Sequence, residues 1–166
     1  MAYNTEFNKM HPFSEQLSKV LTYLQNRALS SAALAIKIAL SATAKNTAAL
    51  VYAVAGKAYT LAANTDIALT DVAAKTIVAG NARVFFLFIN AAGAVTVTAS
   101  NSVAAASIAS VSVLPDYDES TLVPFGAIKV NNGTAGTFTP GTTALDTALL
   151  TVTYVNLSAP LPGQAI

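Results

Sequence analysis

The N-terminal part of the chain carries a helical pattern of apolar residues. Apolar side chains recur at spacings of three and four from Phe13 to Leu29, and polar residues occupy the opposite face. Pro12 suits the first helical turn, where a residue needs no backbone N–H donor. The pattern predicts an amphipathic helix from Pro12 to about Ser31, preceded by an irregular arm at residues 1–11. Its large apolar side chains are Phe13, Leu17, Val20, Leu21 and Leu24.

This apolar stripe is the predicted interaction site of the chain. Burying a Leu or Val side chain contributes about 1.5–3 kcal/mol, so the stripe could hold copies together or attach the chain to a larger partner. In the alternative, the helix packs across the β-domain of its own chain as core. Deleting residues 1–31 separates the two readings, because only an attachment helix can be removed without unfolding the rest.

From about residue 35 the pattern changes to the alternation and turn signals of β-strands. Ala35–Leu40 could continue the helix or begin the first strand, and a strand is the favoured reading. Leu50–Val54 and Lys57–Leu61 then flank a Gly-containing pair, Ala55-Gly56. Two strands separated by such a pair predict a tight β-hairpin.

Further strands follow with frequent turn signals between them. They are predicted at Ile67–Thr70, Val84–Asn90, Ala94–Thr98, Phe125–Val130 and Leu149–Leu157. Short strands with little helix between them predict an antiparallel β-sandwich or barrel-like domain. The predicted organisation is therefore mainly β, with an N-terminal arm and helix at residues 1–34 and an all-β domain at residues 35–166.

Charged side chains are scarce in this chain. They make up 10% of the 166 residues, against about 25% in typical soluble domains. The apolar fraction is dominated by small side chains, with 34 alanines beside 19 threonines. A weakly charged surface of small residues suits burial against other chains, so an oligomer is expected. Nucleic acid is not an expected partner, since the net charge is +1 and Lys and Arg are not clustered.

The sequence also restricts where the protein is made. It has no cysteine, which excludes disulfides, thiolate catalysis and Cys-based zinc sites. The polar N-terminus lacks the apolar region of a secretory signal. The most apolar run, Val84–Ile89, is too short to cross a bilayer. We expect a protein made in a cytoplasm, with no membrane partner.

Few residues could perform chemistry. His11 is the only histidine, and a single imidazole cannot form a catalytic triad or a metal cluster unaided. Asp116, Asp118 and Glu119 form the only dense acidic group, which lacks the turn glycine and spacing of a calcium loop. Glycoside hydrolysis would need a second acidic group facing this one. We interpret the segment as a solvated loop between two strands.

Two Thr-x-Thr pairs, Thr96/Thr98 and Thr151/Thr153, each place two hydroxyls on one strand face. Ice-binding surfaces use rows of this kind, but two isolated pairs lack the fixed-length repeat that such surfaces need. No enzymatic activity, metal or cofactor is expected of this chain.

Several turn-and-strand segments resemble small virion proteins of tailed bacteriophages. The resemblance covers roughly residues 50–157 and rests on Gly56–Ala63, Asp66–Thr70, Asn90–Val97, Val123–Val130 and Gly136–Asp146. It implies a structural part of the particle and, by analogy with such proteins, a homotrimer. It transfers no functional residues, and the N-terminal helix lies outside it. In the last segment Phe138 is expected to anchor a turn in the core, which makes that stretch scaffold.

Two functions of different classes follow from the resemblance. In the first, the chain is a capsid decoration or cement protein on the virion surface, and it binds the major capsid protein and its own copies. In the second, it is a head-fibre or tail-fibre module whose loops bind a glycan of the host surface. Glycan sites use exposed aromatic side chains, and Tyr117 is the only aromatic residue in a charged loop. This favours the decoration protein.

Overall fold

The computed structural model describes residues 25–111, 114–133 and 136–158. These residues are mainly β and form antiparallel sheets, consistent with a β-sandwich. Two 3-10 helices, Thr70–Val72 and Ala105–Ser110, interrupt them. The thirteen strands are β1 (Arg27–Ala28), β2 (Leu34–Ile36), β3 (Ala44–Asn46), β4 (Leu50–Val54), β5 (Lys57–Leu61), β6 (Asp66–Ile67), β7 (Ile77–Val78), β8 (Asn81–Asn90), β9 (Val95–Ala99), β10 (Val103–Ala104), β11 (Leu122–Asn132), β12 (Thr137–Phe138) and β13 (Leu150–Asn156).

A central antiparallel sheet organises the fold. β11 lies between β8 and β13, and β9 and β10 pair with the other side of β8. The register of β11 on β8 shifts between Pro124 and Gly126, which marks a β-bulge. A Cβ on Gly126 would lie 2.2 Å from Leu34 Cδ1, so any side chain at this position would force the buried Leu34 of β2 to move. The arrangement leaves β13 as one edge of the central sheet.

β8 is buried on both faces because it lies between two cores. Its alternate residues Phe85, Leu87 and Ile89 point into the larger core, which the three smaller sheets β1-β4-β5, β2-β3-β6 and β7-β12 complete. The intervening residues Val84, Phe86 and Phe88 point into a smaller core. Side chains from the segment after β10, together with the residue after β13, cover this second face: Ile108, Val111, Leu114, Tyr117 and Leu157. Burial on two faces explains why the strand is a continuous apolar run.

Buried asparagines connect the smaller sheets to their neighbours. The Asn46 amide donates hydrogen bonds to the backbone oxygens of Ala48 and Ala62. The Asn132 amide donates to the oxygens of Ile77 and Gly136, which ties the end of β11 to β7 and to the chain before β12. Buried polar groups must be hydrogen-bonded to be tolerated, and these side chains meet that condition.

The structure confirms the hairpins predicted from local sequence. β4 and β5 pair from Leu50–Leu61 to Val54–Lys57 around Ala55 and Gly56. Both turn residues have positive φ, 50° and 75°, as a two-residue turn that follows the strand twist requires. The second hairpin joins β8 to β9, and the strands predicted within β11 and β13 are also present. The buried Phe138 contacts Phe85, with ring centroids 6.3 Å apart, and supports the scaffold role of its segment.

The predicted helix is wrong in its last part. Most of it, residues 12–24, lies outside the described residues. Arg27 and Ala28, however, form β1 and pair with Ala53 and Tyr52 of β4. Pairing with a distant strand determines the conformation here and overrides the helical spacing, which is a weak local preference. Ala35–Leu40 is a strand only through Ile36 in β2, and the remaining residues form a turn.

The first described β-structure therefore begins before residue 35. Ala28, Ala32 and Leu34 are buried in the larger core together with residues of the central sheet. The division into residues 1–34 and 35–166 stays a prediction, since it depends on the N-terminal residues outside the described ranges. The strand pairing of β1 nevertheless shows that residues assigned to the N-terminal unit contribute to the β-structure.

Candidate interaction surface

The turn between β2 and β3 exposes two large apolar side chains. We call residues 37–43 the β2–β3 tip. Within it Ile38 is 66% exposed and Leu40 is 80% exposed. Scattered single apolar side chains are normal on protein surfaces, whereas a cluster of them indicates a contact surface.

Leu40 adopts a conformation that L-residues rarely take. Its φ is 59°, in the left-handed region, where a Cβ substituent costs about 1–2 kcal/mol. The backbone N–H of Leu40 donates to Asp146 Oδ2 at 2.8 Å, and the N–H of Leu145 donates to the oxygen of Ser41 at 2.9 Å. Leu145 is itself buried in the larger core. The backbone of the β2–β3 tip is therefore fixed to the loop before β13, with the Leu40 side chain exposed.

Two further exposed apolar side chains are connected to this tip through the loop before β13 and the pocket beside it. Leu149 is 45% exposed and follows Asp146 by three residues, a distance of at most about 11 Å along the chain. Val78, 52% exposed, pairs with Thr137, and Thr137 and Leu149 both line a shallow pocket of about 190 Å³. We call Ile38, Leu40, Val78 and Leu149 the apolar rim.

Two charged side chains at the β2–β3 tip are already engaged. Lys37 forms an ion pair with Asp66, and Asp146 accepts the hydrogen bond from Leu40. Burial, and next the negative charge of Asp146, raise the pKa of the Tyr154 phenol to about 12. Tyr154 therefore stays neutral at physiological pH. Chemically, the rim can bury apolar surface, and it places no catalytic pair of side chains together.

In the acidic loop, Asp118 forms hydrogen bonds that stabilise the local backbone before β11. The Asp118 carboxylate accepts hydrogen bonds from the N–H and hydroxyl of Ser120 and from the hydroxyl of Thr121. These bonds, led by that of the Ser120 hydroxyl, hold the pKa of Asp118 below its ordinary value. The backbone carbonyl oxygen of Asp118 also accepts a hydrogen bond from the N–H of Leu122, where β11 begins. Across residues 25–111, 114–133 and 136–158, His, Cys, Asp and Glu nowhere form a group of three able to hold a metal ion.

The aromatic ring of Tyr117 is partly covered by other side chains of its own chain. Its ring packs against Phe88, with centroids 4.9 Å apart and the planes inclined by 38°. Tyr117 thus helps to cover the smaller core. A sugar could not stack on the face of the ring that Phe88 occupies.

The Thr-x-Thr pairs lie on two separate strands of the central sheet. Thr96 and Thr98 are on β9, opposite Phe88 and Phe86. Thr151 and Thr153 are on β13, opposite Asn131 and Lys129 of β11. All four threonines are exposed. Since β8 and β11 separate the two pairs, they do not form one continuous row.

The predicted interaction residues Phe13, Leu17, Val20, Leu21 and Leu24 lie outside the described residues, as does His11. Their proposed role stays a prediction. Sequence reasoning missed the apolar rim, since Ile38 and Leu40 belong to a run that has the composition of a core strand. The positive φ of Leu40 has no signal in the sequence.

Comparisons with known proteins identified no protein similar to this chain. Scans of family models, curated proteins and solved structures found no match to this chain. Among the described residues, no helix is both long enough and apolar enough to traverse a lipid bilayer.

Proposed function

We propose that this protein is a non-enzymatic structural component of a bacteriophage virion, most specifically a decoration or cement protein of the head. The observation that carries the proposal is the β2–β3 tip, where a leucine with 80% exposure is held in a left-handed conformation. Strained backbone conformations that the surrounding contacts maintain cluster at functional sites. An apolar side chain presented in this way is suited to enter a pocket on a protein partner.

Composition supports a partner that is itself a protein. The low charge content and the exposed Val78 and Leu149 give the apolar rim little to attract nucleic acid or ionic ligands. The virion assignment comes from the resemblance of the turn-and-strand segments, and the major capsid protein is the partner that it implies. In this proposal an N-terminal amphipathic helix provides the second attachment surface, through the stripe from Phe13 to Leu24, and assembles the chain as a homotrimer.

The packing of Tyr117 against Phe88 is an argument against the alternative of a fibre module that binds glycan. Such a module needs aromatic faces open to the sugar, and Phe88 covers one face of the partly buried Tyr117 ring.

The test uses virions of the phage that encodes the chain. Mass spectrometry of purified particles separated into heads and tails should find the chain in the head fraction. Heads prepared without the chain should rupture at a lower temperature, and purified protein should restore their heat resistance. Absence from the particle would overturn the proposal, and presence in the tail fraction alone would favour the fibre module.

The role of the β2–β3 tip is tested with matched leucine variants. Leu40→Ser should reduce binding to bare heads at least tenfold, because it removes the anchor. Leu29→Ser is the control, since Leu29 is 45% exposed but follows β1, which belongs to a different sheet from β2 and β3. Equal binding by both variants would show that the tip does not contact the shell.

A further inference from the structure

The outer side of β13 has unpaired backbone groups. In an antiparallel ladder, alternate residues direct their N–H and C=O groups toward the same neighbouring strand. The N–H of Leu157 donates to Phe125, and that of Gly133 donates to Leu149, so the odd-numbered residues of β13 face β11. The even-numbered residues Val152 and Tyr154 therefore direct their backbone groups away from the sheet.

These two residues form the open part of the edge. At one end, the N–H of Leu150 donates to the oxygen of Thr147. At the other end, the Asn156 side chain accepts the N–H of Leu34, which places β2 beside it. Within the described residues, no hydrogen bond reaches the outward backbone groups of Val152 and Tyr154. The free edge is therefore short and has defined ends.

Proteins usually protect such an edge with a charge, a proline or a bulge. β13 has none of these, since its sequence is Leu-Thr-Val-Thr-Tyr-Val-Asn and its register on β11 is uninterrupted. A second copy would meet no like charge along this strand. We propose that β13 pairs with β13 of a second copy, antiparallel and centred on Thr153, so that two central sheets become one.

The register follows from which groups are free. Centring on Thr153 places Val152 against Tyr154 of the second copy and repeats the pair on the other side of the axis. Each pair exchanges two backbone hydrogen bonds. Centring one residue away would place an outward group against Leu150, whose N–H already donates to Thr147, or against Asn156, whose side chain holds β2 beside it. The chosen register also sets a β-branched side chain beside an aromatic one, a favourable cross-strand pair.

This contact has two-fold symmetry, so it joins copies, or the proposed homotrimers, in pairs and is additional to the three-fold assembly proposed above. It does not require that the chain be a virion protein. It is tested on the purified full chain, so its failure leaves the head-fraction test untouched. Detection of the chain in heads likewise says nothing about β13.

The first experiment is a single-cysteine cross-link, which the cysteine-free sequence makes possible. In the proposed register, Thr153 lies opposite Thr153 of the second copy as a non-hydrogen-bonded pair. Their Cα atoms are then about 4.5 Å apart, which is within reach of a disulfide. Thr153→Cys should form a covalent dimer under mild oxidation at micromolar concentration. Thr151→Cys is the control on the same strand, because it faces Val155 of the second copy and lies too far from itself.

The second experiment reverses the charge at the axis. Thr153→Lys and Thr153→Glu should each lower the particle mass at least twofold in light scattering, because each places like charges together. An equimolar mixture of the two should recover the wild-type mass. Thr98→Lys on β9 is the control and should keep it. Circular dichroism checks that each variant is folded, as expected for exposed positions.

Three results would overturn the proposal. Equal cross-linking of Thr151→Cys and Thr153→Cys would indicate random collisions. A lower particle mass for Thr98→Lys, together with no recovery of mass when Thr153→Lys and Thr153→Glu are mixed, would indicate that β13 pairs with β9 of the next copy. An unchanged mass in all charge variants would show that the edge of β13 is not an interface.

Discussion

Replacing Leu40 with glycine should leave the stability of the protein close to that of the wild type, although most of a leucine side chain is removed. Glycine adopts a φ of 59° without steric strain, so Leu40→Gly releases the strain of the β2–β3 tip. The backbone hydrogen bond from residue 40 to Asp146 is kept, because it does not involve the side chain.

The magnitude follows from the exposure and the conformation. Relief of the left-handed strain contributes about 1–2 kcal/mol. Leu40 is 80% exposed, so it buries only a fifth of its surface, and losing that burial costs about 0.3–0.6 kcal/mol. The greater freedom of glycine in the unfolded chain costs about 0.4–1 kcal/mol. The net change in the free energy of unfolding lies between about 0.6 kcal/mol against the variant and about 1.3 kcal/mol in its favour, with a midpoint of about 0.3 kcal/mol in its favour.

Urea denaturation followed by circular dichroism measures this change, since the chain has no tryptophan to serve as a fluorescent probe. Leu40→Ala is the matched control, because it removes most of the side chain but retains the Cβ and hence the strain. Leu40→Gly should be the more stable of the two variants. A midpoint for Leu40→Gly below that of Leu40→Ala, or a loss above about 1 kcal/mol against the wild type, would refute the strain argument.

Two other predictions test the packing of the central sheet. Gly126→Ala should lower the free energy of unfolding by about 1–3 kcal/mol in the same urea assay, because its Cβ would lie 2.2 Å from Leu34 Cδ1. Gly133→Ala is the control, with its nearest neighbour at 3.4 Å, and should change stability little. Burial raises the pKa of Tyr154 from 10.0 to about 12, so the folded state keeps the proton while the unfolded state loses it. The melting temperature should therefore fall as the pH rises from 10 toward 12, and Tyr154→Phe should reduce this fall. The same dependence of melting temperature on pH in both proteins would contradict the burial assigned to Tyr154.

The sequence could predict those parts of the fold in which the partner strand is close in the chain. The β4–β5 hairpin was predictable to its turn, because alternation on both sides and a Gly-containing pair are local signals. The pairing of β1 with β4 was not, since a two-residue strand has no detectable period. The helical spacing of apolar side chains continues through Ala28, but pairing with Tyr52 of β4 determines the conformation there.

The candidate surface was even less accessible from sequence. The exposure of Leu40 depends on Asp146, which is 106 residues away. The openness of β13 depends on which neighbours occupy the ends of the strand, a property of the whole topology. Sequence did indicate the general character of the molecule, because scarce charge and the absence of cysteine are properties that no arrangement of the chain can change.

The double-sided burial of β8 has a consequence for how the protein is made. Its pairing partner β11 begins at Leu122, 32 residues after β8 ends at Asn90. At a translation rate of about 5–20 residues per second, the ribosome needs roughly two to six seconds to supply those residues. During this interval the uncharged segment Val84–Ile89 has only β9 to pair with locally, and apolar β-prone segments of this length are prone to aggregate. The yield of soluble protein should therefore depend on how well chaperones protect the nascent chain between the synthesis of these two strands.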